Sequence, residues 1–146
     1  MNILSIEDCA YIAGIFDGEG TAQIQTHKGK CRLGYNISPR IQIPNNNKDL
    51  IDWIHNKLPE FTLWTRSPRK ITHAISYVLV ISRVNDIIEF INQILPYLIV
   101  KRKQCELILQ YCYMRLEKRK INNKAPLGDD EIEMYKKMKI LNKRGE

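Results

Sequence analysis

The sequence lacks several features that would identify a membrane protein, a secreted protein or a zinc protein. Its 146 residues contain no apolar run long enough to span a bilayer, and the N-terminus lacks both a basic leader and an arginine-rich transit pattern. The four cysteines have no Cys-x-x-Cys spacing, so we expect no zinc site and interpret them as reduced thiols. No low-complexity linker divides the chain. We therefore expect one domain over residues 1–146, acting inside the cell without a membrane partner.

Acidic residues are fewer than basic ones: the chain has 16 aspartates and glutamates and 23 lysines and arginines, so its formal net charge is +7. A basic protein attracts polyanions, so this balance favours a nucleic-acid partner over an acidic one. Isoleucine, lysine and asparagine are frequent, which hints at an A/T-rich coding genome. We expect an organelle (chloroplast or mitochondrion) if the gene lies there, and otherwise a prokaryotic cytoplasm.

The most informative segment is residues 11–20, Tyr-Ile-Ala-Gly-Ile-Phe-Asp-Gly-Glu-Gly. Its first half is apolar almost all the way round a helix, which predicts burial against two partners instead of one. Gly14 and Gly18 share one helix face, where a second backbone can approach closely. Asp17 and Glu19 then place carboxylates at the negative end of the helix dipole, an unfavourable arrangement without a cation.

After this segment the apolar residues recur with a period of two, which is typical of strands. Two strands are predicted, one starting at Thr21 and one over Arg32 to Ile43, and each has a polar face. The polar side chains are Gln23, Gln25, His27, Asn36, Ser38, Arg40 and Gln42. Amides pair with adenine edges and arginine with guanine edges in a DNA major groove, so these faces predict base readout, the alternative being an ordinary solvated surface.

Basic residues are expected in the turns of the two predicted hairpins, where they can contact phosphates. They are Lys28, Lys30, Arg32, Arg66, Arg69 and Lys70. Helix and strand signals together give the order α-β-β-α-β-β-α-α-α, an α+β class with helices on one face of an antiparallel sheet. The predicted boundaries are helix caps at Ser5, Ser82 and Asp129, a strand break at Pro44, strands at 61–65 and 72–81, and a charged connection at 117–126. Pro39 predicts an edge position or a bulge.

Residues 11–20 resemble the signature of the LAGLIDADG homing endonucleases, in the variant that ends Asp-Gly-Glu-Gly. The chain carries a single copy, and single-motif members of this family work as homodimers. The resemblance implies an αββαββα homing-endonuclease fold, in which helices cover the convex side of a saddle-shaped sheet, followed here by extra C-terminal helices. It also implies that Ala13, Gly14, Asp17 and Gly18 lie at the interface between two chains.

The same resemblance implies a Mg²⁺-dependent DNA endonuclease that makes double-strand breaks with short 3′ overhangs at a long pseudo-palindromic site. Glu19 matches the final acidic residue of the signature, so it is expected to ligate the metal with the Gly18 carbonyl, and Mn²⁺ or Ca²⁺ can occupy such a site. Asn45 matches a polar residue that orients water, with a helix cap as the alternative. Lys101 matches a basic residue near the cleavage centre, with Lys103 as its competitor and a solvated charge as the alternative.

Other functions on the same scaffold stay open. An RNA maturase would bind intron RNA, and a regulator would bind DNA without cutting it. Glu19 favours cleavage, because a silent binding module has no evident use for this second carboxylate. The major groove of B-form DNA admits a two-stranded ribbon and the deep, narrow groove of A-form RNA does not, so the nucleic acid that binds would separate these hypotheses.

Overall fold

The computed structural model describes residues 1–29, 34–68, 70–72 and 74–143. The elements are α1 (Ile6–Glu19), β1 (Thr21–Lys28), β2 (Tyr35–Asn45), α2 (Lys48–Lys57), β3 (Thr62–Arg66), β4 (Ser76–Ile81), α3 (Val84–Ile94), a short 3-10 helix (Leu95–Tyr97), α4 (Arg102–Ile121) and α5 (Asp129–Leu141). The predicted order and the α+β class are confirmed. In these described ranges no helix combines the length and the apolar character needed to cross a membrane.

Within the described residues, four strands form one antiparallel sheet in the order β1-β2-β4-β3. β1 pairs with β2 along its whole length, whereas β4 pairs only with residues 41–45 of β2. Pro39 therefore lies in the half of β2 that has β1 on one side and is not paired with β4 on the other. This confirms the predicted edge position, which suits a residue without a backbone donor.

The period of two gives the sheet one apolar face and one largely polar face, as predicted. Ala22, Ile24, Ile41, Ile43, Leu79 and Ile81 are buried on the apolar face. They pack in one hydrophobic cluster with helix residues such as Ile12, Phe16, Ile51, Phe90 and Ile108. Burying each large apolar side chain contributes roughly 1.5–3 kcal/mol, so this cluster fixes which face of the sheet the helices cover.

Helix α1 begins as predicted, because the Ser5 Oγ accepts the backbone N–H of Asp8 at 3.1 Å. Its buried side chains lie on one side of the helix: Cys9, Ile12, Ala13 and Phe16. Tyr11, Gly14 and Gly18 are exposed on the other side. One partner of the apolar helix is therefore this chain's own core, and the opposite side is left uncovered in a single chain.

Two strand boundaries were predicted wrongly. β2 runs from Tyr35 to Asn45, so Pro44, expected to break the strand, lies inside it opposite Val78. β4 begins at Ser76 and not at residue 72. The cause is the same in both cases: a strand extends as far as its neighbour supplies hydrogen bonds, and pairing between distant segments overrides local turn signals.

Three helix boundaries also differ from the predictions. The residue before α3 is Arg83, whose side chain makes no capping hydrogen bond, so the predicted Ser82 cap is wrong. Helix α4 continues through much of the predicted connection to Ile121, because basic side chains are favourable at a helix C-terminus. Asp129 is the first residue of α5 and not its cap; Gly128 precedes it, and the buried Glu131 carboxylate accepts the Gly128 N–H at 2.6 Å.

Candidate catalytic cleft and nucleic-acid interface

The C-terminal end of α1 opens onto a cleft of about 620 Å³. Glu19, Asn45 and Lys101 all line this cleft, and so does Gly18. The three residues predicted for catalysis come from α1, the end of β2 and the residue before α4, so the fold brings together positions up to 82 residues apart. Their assignment to catalysis stays a prediction.

Glu19 and Asn45 are in direct contact. The exposed Glu19 carboxylate accepts the Asn45 Nδ2–H at 2.5 Å, while the Asn45 Oδ1 accepts the backbone N–H of Asn47 at 2.7 Å. The second bond fixes the orientation of the amide, so its donor points at the carboxylate. The alternative role of Asn45 as a helix cap is wrong, because the cap of α2 is Asn47, whose side chain accepts the Leu50 N–H at 3.1 Å.

Lys101 is half-buried and its ammonium reaches the end of α1. The Lys101 Nζ donates to the Phe16 carbonyl at 3.1 Å and also to the Gly20 carbonyl. These carbonyls lie at the negative end of the α1 dipole, where a cation is stabilising. Lys101 is therefore not merely a solvated charge, whereas its competitor Lys103 is exposed and does not line the cleft.

Asp17 has its carboxylate engaged inside the chain. The two oxygens accept the backbone N–H groups of Ile99 at 2.8 Å, Val100 at 3.1 Å and Lys101 at 2.9 Å. Hydrogen bonds to a charged acceptor are among the stronger ones in proteins. Asp17 thus fastens the segment before α4 to the end of α1 and determines where the Lys101 side chain starts.

The glycines of the signature have different surroundings. A Cβ added at Gly20 would lie 2.1 Å from Cδ2 of the buried Phe16 ring, so this position requires glycine. A Cβ added at Gly14 or Gly18 would meet no atom of the described residues within 4 Å, apart from the helix's own backbone and the adjoining residues. Ala13, also predicted at the chain interface, is fully buried in this chain's own core and lies about 100° around the helix from Gly14, so its place at an interface stays a prediction.

Exposed apolar side chains accompany Gly14 and Gly18. Tyr11 is 55% exposed on α1, and Ile99 and Val100 are 87% and 69% exposed in the segment that Asp17 holds against the helix. We call Tyr11, Gly14, Gly18, Ile99 and Val100 the α1 face. Large exposed apolar side chains beside two helix glycines suit an interaction site.

We call the sheet face away from the helices the open face. It contains all of the polar side chains predicted for base readout. Its residues, from β1 to β3, are Thr21, Gln23, Gln25, His27, Asn36, Ser38, Arg40, Gln42, Pro44, Ser76, Val78, Val80, Thr62, Trp64 and Arg66. Val78 and Val80 are buried at its centre, whereas the amides are partly exposed. The predicted face of β1 and β2 is confirmed as a surface; its role in DNA binding stays a prediction.

Arg40 is the most constrained side chain of the open face. Its guanidinium lies 4.6 Å from the centroid of the Trp64 ring, and Nη1 donates to Gln25 Oε1 at 3.4 Å. Burial, and secondarily the nearby charge of Arg66, lower the pKa of Arg40. Its buried Nε has no hydrogen-bond partner among the described residues. An unsatisfied donor on a polar surface indicates a position where an acceptor from outside is favourable.

The basic residues predicted in the turns have mixed placements. Lys28 is exposed at the end of β1, Lys70 is exposed between β3 and β4, and Arg66 ends β3 with Nη2 donating to Gln42 Oε1 at 3.4 Å. Lys30, Arg32 and Arg69 lie outside the described residues. Trp64 and Thr62 were missed, although the period of two places them on the same face as Arg66.

The donor chemistry of the cleft fits a hard divalent cation but is incomplete in one chain. The described residues contain no cluster of three or more His, Cys, Asp or Glu side chains. Glu19 offers an exposed carboxylate and Gly18 lines the same cleft, whereas Mg²⁺ prefers about six oxygen ligands. Further oxygens would have to come from water, substrate or a second chain.

Fold and cleft together define an α+β protein in which a mostly polar sheet face lies beside a helix end carrying a single exposed carboxylate. The family model described as LAGLIDADG endonuclease matches residues 12–115. The chain therefore belongs to the LAGLIDADG endonuclease family, as its signature segment predicted.

Solved structures share the fold. The homing endonuclease I-CvuI in complex with the I-CreI target has 18% identity, covers 96% of this chain and 85% of its own, and has a TM-score of 0.74. The archaeal intron-encoded homing endonuclease I-Vdi141I complexed with DNA has 16% identity, covers 96% and 87%, and has a TM-score of 0.76. I-CeuI complexed with DNA has 16% identity, 94% and 68% coverage, and a TM-score of 0.68. No curated protein matches the sequence.

Proposed function

We propose that this chain is a site-specific, intron-encoded homing endonuclease that cuts both strands of a long pseudo-palindromic DNA site and leaves short 3′ overhangs. The observation that carries this proposal is the cleft where Glu19, Asn45 and Lys101 meet beside the open face. Thr21 and Ser76 belong to the open face and also line the cleft. A duplex bound on that face would therefore present its phosphates to Glu19.

Recognition is assigned to the open face. A two-stranded ribbon fits the major groove of B-form DNA, and the amides of Gln23, Gln25 and Gln42 offer both donors and acceptors to base edges. Arg40 adds a buried donor, Nε, that no described residue of the chain satisfies. Lys28 and Lys70 at the ends of the hairpins would contact phosphates, which position the protein without reading sequence.

Cleavage of two strands requires two clefts, and we propose that a homodimer supplies them. The α1 face would pair with the same face of a second chain, because Gly14 and Gly18 leave room for close helix contact and the surrounding side chains are apolar. A two-fold axis through this contact would bring the two Glu19 carboxylates near each other and make the target roughly palindromic.

Glu19 and the Gly18 carbonyl are the groups of this chain that would hold Mg²⁺. When bound, such a cation activates water and stabilises the leaving oxygen of an in-line phosphoryl displacement. Asn45 orients the Glu19 carboxylate through its amide donor. Lys101 holds the Phe16 and Gly20 carbonyls in place and adds positive charge to a cleft that must accept a phosphate.

The decisive experiment is digestion of a randomised-site DNA library by the purified protein, with and without Mg²⁺, beside Glu19→Gln. The proposal predicts metal-dependent cuts at one enriched pseudo-palindrome, with the variant binding that site but not cutting it. Selective binding without cleavage by the wild type would support a regulator. If the library is neither bound nor cut, binding to intron RNA would be tested next, as the maturase alternative requires.

The homodimer has its own test. Gly14→Leu should give a monomer on gel filtration with light scattering, because the leucine side chain would separate the paired helices. Lys136→Leu is the matched control, since it adds the same side chain at an exposed position of α5, away from the α1 face. A dimeric Gly14→Leu variant would refute this interface.

A further inference from the structure

The last residue of α5 and the two residues after it form part of the cleft that contains Glu19. Leu141, Asn142 and Lys143 line it together with the predicted catalytic residues. Of the described residues that line the cleft, Lys101 and Lys143 are the cationic ones. The sequence-based assignment of catalytic residues contained Lys101 alone, so Lys143 is a second cation at the same place without an assigned role.

Two hydrogen bonds join the end of α5 to the elements that carry the cleft. The Asn142 Nδ2 donates to the Ala22 carbonyl at 2.8 Å, three residues after Glu19 along the chain. The Gln104 Nε2 donates to the Leu141 carbonyl at 3.2 Å, one helical turn after Lys101. The end of α5 is therefore tied both to the start of β1 and to the first turn of α4.

The rest of α5 is firmly anchored. Glu131, fully buried in its first turn, accepts a hydrogen bond from Arg115 Nη1 of α4 at 2.5 Å. Met138, near the other end, is 1% exposed in the hydrophobic cluster. A helix held at both ends gives a fixed starting point to Asn142 and Lys143, the two residues that follow it.

We propose that Lys143 is a further catalytic residue, whose ammonium contacts the phosphate of the strand being cut, and that Asn142 is the positioning residue that holds Lys143 there. The inference rests on the proposed function. Lys143 supplies a cation where negative charge accumulates on the phosphoryl oxygens, and the effect is electrostatic, without a covalent step.

The test compares single-turnover cleavage rates and equilibrium binding on the DNA site selected by the wild-type protein. Lys143→Ala should lower the single-turnover rate about tenfold or more, while the Kd measured with Ca²⁺ in place of Mg²⁺ rises only about threefold. Lys143→Arg should restore most of the rate because it restores the charge. Lys137→Ala is the matched control, since it removes an exposed lysine of α5 outside the cleft.

Asn142→Ala should lower the rate as much as Lys143→Ala does, because the amide acts through the lysine. The double variant should then be no slower than either single variant, because Asn142 acts only through Lys143. A lowered rate with a nearly unchanged Kd and an unchanged unfolding temperature separates this role from a structural one. Thermal unfolding of each variant, followed by circular dichroism, checks that the fold is kept.

Three outcomes would overturn the inference: wild-type rates in Lys143→Ala, equal losses in Lys143→Ala and Lys137→Ala, or additive losses in the double variant. A wild-type protein that cleaves no DNA would instead overturn the proposed function, and the inference with it.

Discussion

The cleft and the open face are adjacent surfaces with opposite internal organisation. In the cleft, hydrogen bonds of 2.5 to 3.1 Å join Asn45 to Glu19 and join Lys101 to α1. On the open face, the polar contacts of Arg40 and Arg66 are longer, at 3.4 Å, and the buried Nε of Arg40 has no partner in the part of the chain that the structure describes. The polar groups of the cleft are thus hydrogen-bonded within the chain in the absence of a ligand. The open face instead keeps hydrogen-bonding groups that a ligand can use.

This difference matches what each surface is proposed to do. Phosphoryl transfer depends on groups held within a fraction of an ångström of their working positions. Base recognition is distributed over many contacts, each of modest energy and often adjusted by water. Substitutions in the cleft should therefore act strongly on rate, and substitutions on the open face should act mainly on affinity.

The largest effect among the four variants below is expected for Lys101→Met. Removing the ammonium leaves the Phe16 and Gly20 carbonyls without their donor and takes a positive charge from the cleft, so the single-turnover rate should fall about a hundredfold. Lys103→Met is the control, because that lysine is exposed two residues away. Equal rates for the two variants would show that the cleft does not depend on Lys101.

The second-largest effect is expected for Asp17→Asn, which should lower the stability of the fold. The amide keeps the shape of the side chain but loses the charge that receives three backbone N–H groups, so the free energy of unfolding should fall by about 2 kcal/mol. Urea unfolding followed by circular dichroism measures this. Asp52→Asn, which breaks only an exposed ion pair with Lys48, should cost well under that amount, and a similar loss for both would refute the role of Asp17.

On the open face, Arg40→Ala should weaken binding to the selected DNA site about tenfold, because one base-reading arginine contributes roughly 1–3 kcal/mol. The cleavage rate at saturating protein should stay close to the wild-type rate. Thr26→Ala, an exposed change on the other face of β1, is the control for Kd. If the cleavage rate at saturating protein fell while Kd stayed unchanged, Arg40 would act in catalysis and not in recognition.

The smallest effect is expected for Lys28→Ala at the tip of β1. Loss of one phosphate contact should reduce the slope of log K against log salt by about 0.9 and weaken all DNA sequences equally. Titrations at several salt concentrations, with specific and random DNA, measure both quantities. A loss confined to the specific site would contradict a phosphate contact, because it would make Lys28 a base-reading residue.

Local sequence was a good guide wherever a signal and its cause lie within a few residues. The Ser5 cap, the start of α1 and the alternating faces of β1 and β2 are of this kind. It was a poor guide at Pro44 and at the start of β4, where the length of a strand depends on a partner far away in the chain. The extension of α4 to Ile121 was missed because charged residues carry no periodic apolar signal.

The site residues likewise fall into those that a local sequence signal indicated and those that it did not. Glu19 and Gly18 were recognisable because the signature is continuous, and Asn45 and Lys101 were included only through resemblance to a family. Asn142 and Lys143 carry no local signal, since an asparagine and a lysine at a helix end are common surface residues. Trp64 was overlooked although its position in β3 follows the alternation that includes Arg66.

The sequence by itself determined the apolar helix with its two carboxylates, the two-faced strands and the basic charge, because each follows from residue type and spacing along one segment. Only the tertiary structure decided that Asp17 binds backbone N–H groups of residues 99–101, that Lys101 reaches the carbonyls of α1, and that α5 ends in the cleft. These contacts join segments about 80 to 120 residues apart. Such contacts depend on how helices pack on the sheet, a property of the whole core that no single segment encodes.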